Sequence, residues 1–413
     1  MIAPVLLATL VALAGVAEVL AGAWLVRRFA HAAARHRPLP GSRAAVPDWP
    51  AVTVLKPLHG DEPLLEAALE SVCRQDYPVY QIIFGVQDPA DPARAVAERI
   101  AARFPDRDIA IVVDPMQHGA NRKIGNLINM YPHARHDVLV LADSDLHAAP
   151  DYLRRAVAAL ETPGVGLVTT LYGALPASGG TDRLGRLVGR LGALQITATF
   201  LPGALLARAL GRQDCLGATM MLRRATLEQL GGLVALADHL ADDHILGLLV
   251  QAQGLRVALA DTVPVTTVPE RRLRPLLVHE LRWARTIRAL VPASFLASAV
   301  QYPLAWALLV LLLRPSAGAA AFYVFVWLAR AGAASAVARA LAPLLGRLAT
   351  PPALWLLPVR DVVSVGVMAA SYVSRRVEWR GHALDAGGPV GLSPARPSGA
   401  DASVPRFQTE AVQ

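Results

Sequence analysis

The sequence predicts an α/β domain built on a mostly parallel sheet and set between apolar segments at the chain ends. Three observations predict it. Between about 51 and 290, short apolar runs alternate with helical periods through brief connections, the pattern of βα units. In the middle, Val138-Leu139-Val140-Leu141 is a continuous apolar run, as in a strand buried on both faces, and Asp143-Ser144-Asp145 come directly after it. The excess apolar residues, which lift the hydrophobic share to 54% and the mean hydropathy to +0.40, collect at the two ends.

In chain order, residues 2–26 form an apolar stretch of membrane-spanning length, succeeded by Arg27 and Arg28. Ala21-Gly22-Ala23 resembles a cleavage site, but no basic residue precedes the apolar run, so an uncleaved anchor over 1–28 is expected. The positive-inside rule puts the chain after Arg28 in the cytoplasm. Residues 29–50, with several Pro and Arg, read as a linker. The α/β domain over 51–292 then offers strands at Val52–Leu55, Gln81–Val86, Ile109–Val113, Val138–Leu141, Val165–Thr170, 217–222 and Leu255–Leu259. Helices are expected at 62–74, 91–104, Asn121–Met130, beyond 150, at Ala225–Leu230 and at 245–253, which Gly254 stops. The stretch between 171 and 216 is less regular, with Gly179, Gly180, Gly185, Gly189 and Gly192 scattered through it.

Residues 274–291 read as an amphipathic helix with Pro275 near its start. At ~100° per residue Arg274, Arg282, Arg285 and Arg288 share one arc, with Leu273, Leu276, Ile287 and Val291 roughly opposite. That profile fits a helix lying on a membrane surface, and equally a basic solvated face on a core-packed helix. Three further apolar segments lie within 293–376, at about 295–313, 318–338 and 353–374. The last carries Arg360-Asp361, costly in lipid unless paired. An odd number of spans would leave the C-terminus outside, whereas Arg375, Arg376 and Arg380 prefer the inside; a re-entrant segment would reconcile the two. The tail over 377–413 is rich in Pro, Ser, Gly and Ala and is expected to be largely disordered.

The net charge of +8 is almost wholly arginine, for of the 40 basic residues only Lys56 and Lys123 are lysine. Such a bias points to a GC-rich bacterial genome and makes the two lysines worth tracing. Many arginines flank apolar segments, which favours an anionic membrane surface over nucleic acid. Cys73 and Cys215 have neither metal-ligand spacing nor a disulfide framework. No G-x-G-x-x-G or P-loop succeeds any strand, against a dinucleotide dehydrogenase or a P-loop NTPase.

Asp143 and Asp145 stand at a strand's carboxyl end, where open α/β sheets bind ligands. Two carboxylates one residue apart can share a hard cation such as Mg²⁺ or Mn²⁺ and through it a nucleotide diphosphate; an Asx-turn into the next helix is the plainer reading. Asp243, in Ala241-Asp242-Asp243-His244, stands at a helix N-terminus, where the dipole would keep it ionised as a weak base. It or Asp242 is as readily an N-cap.

The stretches VLKPLHGDEP, CRQDYPVYQIIFGVQDPADP, HGANRKIGNLINMYPHARHDVLVLADSD, LADDHILG and HELRWARTIRAL, in that order, resemble membrane glycosyltransferases of GT-A fold. Within these the sequence is similar to the ceramide glucosyltransferase group and its bacterial hopanoid-biosynthesis branch. The resemblance runs from about 52 to 292 and extends to Leu357–Arg380. It implies an inverting, metal-dependent transferase moving a sugar from a UDP-sugar onto a membrane lipid hydroxyl. N-acetylglucosamine from UDP-GlcNAc and a bacteriohopanetetrol-type hopanoid are the expected pair; glucosylation of ceramide or another lipid is the alternative. By motif, Asp88 would contact the nucleotide, Asp143 and Asp145 the metal (Mg²⁺ or Mn²⁺), and Asp243 would be the catalytic base. Arg282 and Trp283 match the R-W of the Q-x-x-R-W motif, with His279 where glutamine is usual. Lys56 and Lys123 are expected to bind substrate. The resemblance further implies a multi-pass protein of the bacterial inner membrane, its catalytic domain facing the cytoplasm and with no nucleic-acid partner. A polytopic transporter or lipid-binding protein is the reading from another class, against which the uninterrupted α/β region speaks.

Overall fold

A computed structural model describes residues 2–35, 49–177 and 182–374, with the backbone of three short strands beyond them. The N-terminal apolar run is one helix, α1 (Ile2–Arg35), about 50 Å long and so longer than a bilayer core. It does not stop at residue 28 as expected. Ala30 and Ala33 are buried, and Arg155 Nη1 donates to the Ala33 carbonyl at 2.8 Å, which carries the helix into the next domain. The rest of the expected linker, 36–48, lies outside the described residues.

The alternating region folds as the sequence predicts: β1 (Val52–Pro57), α2 (Leu65–Cys73), β2 (Tyr80–Val86), α3 (Pro92–Arg103), β3 (Asp108–Val113), α4 (Arg122–Met130) and β4 (Val138–Ala142). After these come a two-residue β5 (Leu146–His147), α5 (Tyr152–Leu160), β6 (Val165–Thr169) and β7 (Gly173–Pro176). Next are α6 (Arg183–Gln195), a π-helical turn over Ile196–Phe200 and α7 (Leu201–Ala209). The domain closes with β8 (Thr219–Arg223), α8 (Arg224–Gln229), α9 (Asp242–Ala252), β9 (Arg256–Leu259) and β10 (Val265–Val268). The main sheet has the order β3-β2-β1-β4-β8-β6-β9, parallel except for β8, which runs against both β4 and β6. Alternate residues of one strand serve opposite faces: Val138 and Val140 pack with α2, α3 and α5, Leu139 and Leu141 with α4 and α9. This is the GT-A architecture that the resemblance implies.

A second sheet, β5-β10-β7, was not legible in strands of two to four residues. It branches off immediately after Asp145, because β5 leaves the main sheet to pair with β10.

Beyond the domain lie α10 (Leu273–Leu290), α11 (Pro292–Ala297), α12 (Pro303–Leu313), α13 (Ala317–Leu345) and α14 (Leu357–Ser371). Among the described residues, four helical stretches are long and apolar enough to cross a membrane: Ile2–Arg35, Arg183–Ala209, Ala317–Leu348 and Leu354–Ser371. Several such helices make this a membrane-associated chain. The expected span at 295–313 is broken, with a 68° bend between Pro292–Gln301 and Pro303–Leu313. Pro303 interrupts the helix there, and neither half is long enough to cross alone. The Arg183–Ala209 stretch, read as irregular from its glycines, is the element the sequence concealed. The tail is not disordered throughout: β11 (Arg376–Trp379), β12 (His382–Asp385) and β13 (Ser393–Pro394) pair in an antiparallel sheet, and the remainder lies outside the described residues.

Three fully buried charges inside the bundle are paired. Arg360 meets Glu280 of α10 at 2.7 and 2.8 Å, and Asp361 accepts from the Leu304 amide at 3.1 Å beside Arg330 at 3.6 Å. Arg330 also donates to the Ala198 carbonyl and to Thr199 Oγ1 of the π turn. That turn therefore has its surplus acceptor satisfied by a membrane helix.

Glycine sets the closest approach in the bundle. A Cβ on Gly15 of α1 would lie 2.3 Å from the Val300 carbonyl oxygen, whereas one on Gly366 of α14 meets nothing within 4 Å. Gly15→Ala is expected to lower the melting temperature of the detergent-solubilised protein, at a cost of about 1–3 kcal/mol, while Gly366→Ala leaves it unchanged or raises it. Intrinsic-fluorescence melts check this; equal melting temperatures would show that α1 does not seat against Val300.

Candidate active site

The turn after β4 is built from below by Lys56. Its side chain is fully buried at the end of β1, and Nζ donates to the carbonyls of Asp143 (2.8 Å) and Leu146 (3.4 Å). Burial pulls its pKa down to about 8, opposed by the carboxylates of Asp145 and Asp143. Lys56 thus supports the loop rather than contacting a substrate, which corrects the expected role, and burial is the cause. From the side, Ser144 Oγ donates to Glu62 Oε2 at 2.5 Å. Glu62 sits in a strained turn in which Leu64 adopts φ 62, left-handed for a branched residue. From the second sheet, Thr266 Oγ1 donates to the Asp145 carboxylate.

The opposite wall comes from α4 and α9. Asn121 caps α4, its Oδ1 accepting from the amides of Lys123 (3.0 Å) and Ile124 (3.1 Å). The same side chain donates from Nδ2 to the His239 carbonyl (2.7 Å) and to Asp242 Oδ1 (3.3 Å). Lys123, two residues on, projects between the two acidic motifs. Its Nζ lies 2.7 Å from Asp143 Oδ1, 3.5 Å from Asp242 Oδ2 and 3.3 Å from the Gly217 carbonyl. Burial would discharge it, but Asp143 and Asp242 outweigh burial and hold it firmly protonated.

Asp243 lies in the first turn of α9, with Oδ1 accepting from the His244 amide at 2.8 Å. Its carboxylate occupies space that Gly217 leaves open, for a Cβ there would come within 2.9 Å of Oδ2. Burial and then Asp242 push its pKa up to about 7, against the charge of Lys123. Desolvation and a like charge thus act against the helix dipole that was expected to keep Asp243 ionised. A carboxylate poised near neutrality is a better general base than an ordinary one.

The remaining candidates lie further out. Asp88 is exposed just beyond β2, accepting from the Ala90 amide at 2.9 Å. His279 Nδ1 is 2.6 Å from Glu270 Oε1, and its ring meets Trp283 edge-on at 4.3 Å. Trp283 packs on Ala174, Ile196 and Val268, and Arg282 stands beside it on α10, half-buried. Trp283, with His279 against it, is linked to the carboxylates through β10, which carries both Val268 and Thr266. The apolar arc expected on α10 is divided, with Leu276 buried in the protein and Leu273 and Ile287 on the surface. Leu276, Glu280 and Ala284 are its buried side, Leu277, Leu281 and Ala284 pack near Val363, Val367 and Met368 of α14, and Leu273 and Ile287 are exposed. Asn121, Glu62, Thr266 and Gly217 shape the site without having been singled out from sequence; of these, only the Asn in HGANRK stood beside a residue already under suspicion.

The acidic set fits a divalent cation held jointly with a ligand. Asp143, Asp145, Asp242 and Asp243 outnumber Lys56 and Lys123, and the Asp145 carboxyl is raised by burial and then by Asp143. Among the described residues no three His, Cys, Asp or Glu converge to hold a metal by themselves. Two carboxylates leave most of a Mg²⁺-type shell to phosphate oxygens and water.

With the geometry in place, comparison with known proteins identifies the family. The chain belongs to glycosyl transferase family 21, whose profile matches residues 7–388. It is 34% identical to the ceramide glucosyltransferase of Komagataella phaffii over 118 residues, 28% of this chain and 23% of that protein. It is 28% identical to an N-acetylglucosaminyltransferase of Rhizobium sp. (strain N33) over 247 residues, 58% of this chain and 53% of the other. The matches thus span from about a quarter to half the length of these curated relatives. Among solved structures, the mannosyltransferase PcManGT of Pyrobaculum calidifontis in complex with GDP-Man and Mn²⁺ is 20% identical with a TM-score of 0.45, covering 88% of this chain and 98% of that one.

The shifted Asp243 also predicts stability. The unfolded group titrates near 3.8 and the folded one near 7, so the unfolded state sheds its proton first as pH rises between these values. The folded state then becomes progressively costlier, with the full penalty present above about 7. Asp243→Asn should therefore melt increasingly above the native protein from pH 4 to 7, with a constant margin beyond. Melts across that range check it; a margin independent of pH would remove the shift.

Proposed function

We propose that this family member transfers a sugar from a UDP-sugar to a hydroxyl of a membrane lipid with inversion at the anomeric carbon. The observation that carries it is the convergence of Asp143, Asp145, Lys123 and Asp243 at the carboxyl end of the sheet, in a domain joined to apolar helices. A lipid keeps its body in the bilayer, so its hydroxyl meets a water-soluble donor only at the interface. The donor sugar is N-acetylglucosamine and the acceptor a bacteriohopanetetrol-type hopanoid in the reading that the family resemblance implies. Glucosylation of ceramide is the second reading, supported by the relatives named for that activity. The arginines closing α1 favour the cytoplasmic face of a bacterial inner membrane for the domain.

In the reaction the acceptor oxygen bonds to the anomeric carbon as the bond to the diphosphate oxygen breaks. The acceptor proton passes to a carboxylate oxygen of Asp243, and the electron pair leaves on UDP. A Mg²⁺ or Mn²⁺ ion on Asp143 and Asp145, when bound, supplies charge to offset the departing diphosphate. Thr266 fixes the Asp145 carboxylate, and Lys123 keeps Asp143 and Asp242 from repelling each other. Arg282 adds positive charge on the donor side, with Asp88 toward the nucleotide.

UDP release from UDP-GlcNAc and UDP-glucose, each with hopanoid or ceramide in nanodiscs, tests the assignment. Asp243→Asn should lose 10²-fold or more in kcat with donor binding retained, and EDTA should abolish turnover. The native kcat/KM should rise through pH 7, where Asp243 loses its proton, and this limb should vanish in the variant. Full turnover in EDTA would end the metal assignment, and near-native kcat in the variant would remove Asp243 as the base.

A further inference from the structure

Glu280 lies inside His279-Glu280-Leu281-Arg282-Trp283, yet it turns away from the site and into the protein. It is 7% exposed, and both its oxygens accept from Arg360 of α14, which is fully buried, at 2.7 and 2.8 Å. Arg360 has further partners. Nη1 reaches the Leu191 carbonyl of α6 at 3.4 Å, and Nε donates to Ser364 Oγ at 3.0 Å, which donates in turn to Gln195 Oε1. One guanidinium therefore ties three helices together. A planar fork on a carboxylate fixes distance and rotation together, which an apolar contact does not.

The fixed helix leads to the acidic turn through close contacts. One turn before Glu280, Leu276 packs over Gly192, and Val268 of β10 covers the same glycine. A Cβ at Gly192 would lie 3.1 Å from Leu276 Cδ1 and 2.8 Å from Val268 Cγ1. One turn after Glu280, Trp283 also packs on Val268. Two residues before Val268, Thr266 holds the Asp145 carboxylate. A rotation of α10 would therefore reach β10 through Trp283 on Val268 and through Leu276 and Val268 at Gly192. Stability is a weak reason for the pair, because replacing a buried ion pair by apolar residues of similar volume is often neutral or stabilising.

We propose that Glu280, held by Arg360 of the last membrane helix, is a positioning residue that sets the placement of Asp145 through α10 and β10. The proposal rests on the reading of Asp145 as a metal-binding carboxylate of a transferase.

The test uses the full chain in nanodiscs and two variants. Glu280→Asp keeps the charge but shortens the arm by one methylene, a displacement of about 1 Å that in a catalytic site can cost on the order of 10²-fold. The double variant Glu280→Met with Arg360→Leu removes both charges while keeping the helices packed. Manganese binding in the presence of UDP is read from the free Mn²⁺ signal in electron paramagnetic resonance, beside kcat for UDP release and the melting temperature. Both variants are expected to bind Mn²⁺ with UDP at least 5-fold more weakly and to turn over at least 10-fold more slowly, with melting temperatures within a few degrees of native. Native binding and kcat in either folded variant would overturn the proposal and leave the pair a fastening between helices. A native protein that neither binds Mn²⁺ with UDP nor releases UDP would instead overturn the functional reading, so the two failures are separable.

Discussion

The acidic turn depends on one buried ammonium. Asp143-Ser144-Asp145 leaves the main sheet at the point where β4 ends and the chain crosses to β5 in a second sheet, and the Asp143 and Leu146 carbonyls of this crossing are turned to Lys56 inside the protein. Unpaired, each would cost on the order of 1–3 kcal/mol. Lys56 satisfies two carbonyls of this crossing from the end of the neighbouring strand, whose register beside β4 carries it to that point. Its charge answers that of the two carboxylates above, so one group settles both the backbone and the field. The turn is then clamped laterally by Glu62 and Thr266, which come from parts of the chain about two hundred residues apart.

The membrane segments obey the same accounting with less tolerance, because no water is at hand to complete a polar group. Arg330, Asp361 and Arg360 are buried among apolar helices, and each finds partners on another element: the π turn, the Leu304 amide and Glu280. Those partners lie on α10, α12 and the α6–α7 stretch, the elements bordering the catalytic domain. Arg330 and Arg360 thus join α13 and α14 to stretches that pack on that domain. The joint is specified by directional bonds, where apolar packing alone would permit sliding.

Legibility in the sequence tracked how locally each feature is determined. Strands buried on both faces wrote themselves as apolar runs, so Val138–Leu141 and its neighbours were found nearly to the residue. Strands of two to four residues carry too little period, and β5, β7 and β10 went unseen although β10 supplies Thr266 to Asp145. The glycines of α6 disguised a long helix as a loop; Gly192 is there because Leu276 and Val268 crowd it, a tertiary reason with no local trace. The acidic site residues were named from motif and position, but their states were not. Whether the dipole or desolvation governs Asp243 depends on how deeply α9 begins within the fold, and on Asp242 pointing to the same space.

The two lysines extend the same logic to the choice of base. In a chain where arginine supplies nearly all the basic side chains, both positions that retain lysine are ammoniums next to the same aspartate, one on its carbonyl and one on its carboxylate. Each has a cramped set of oxygens to satisfy. Lys56 faces two carbonyls below the turn; Lys123 faces a carboxylate oxygen from each motif and the Gly217 carbonyl. An ammonium is a compact point charge with three rotatable donors and can turn to such a set. A guanidinium is a flat fork with five fixed donors and a larger footprint, suited to grip one carboxylate from the side, as Arg360 grips Glu280. Placed at Lys56 it would have to push the turn outward, and at Lys123 it would separate Asp143 from Asp242. Arg360 thus grips one carboxylate with a flat fork, whereas each lysine gathers oxygens from separate segments to one point.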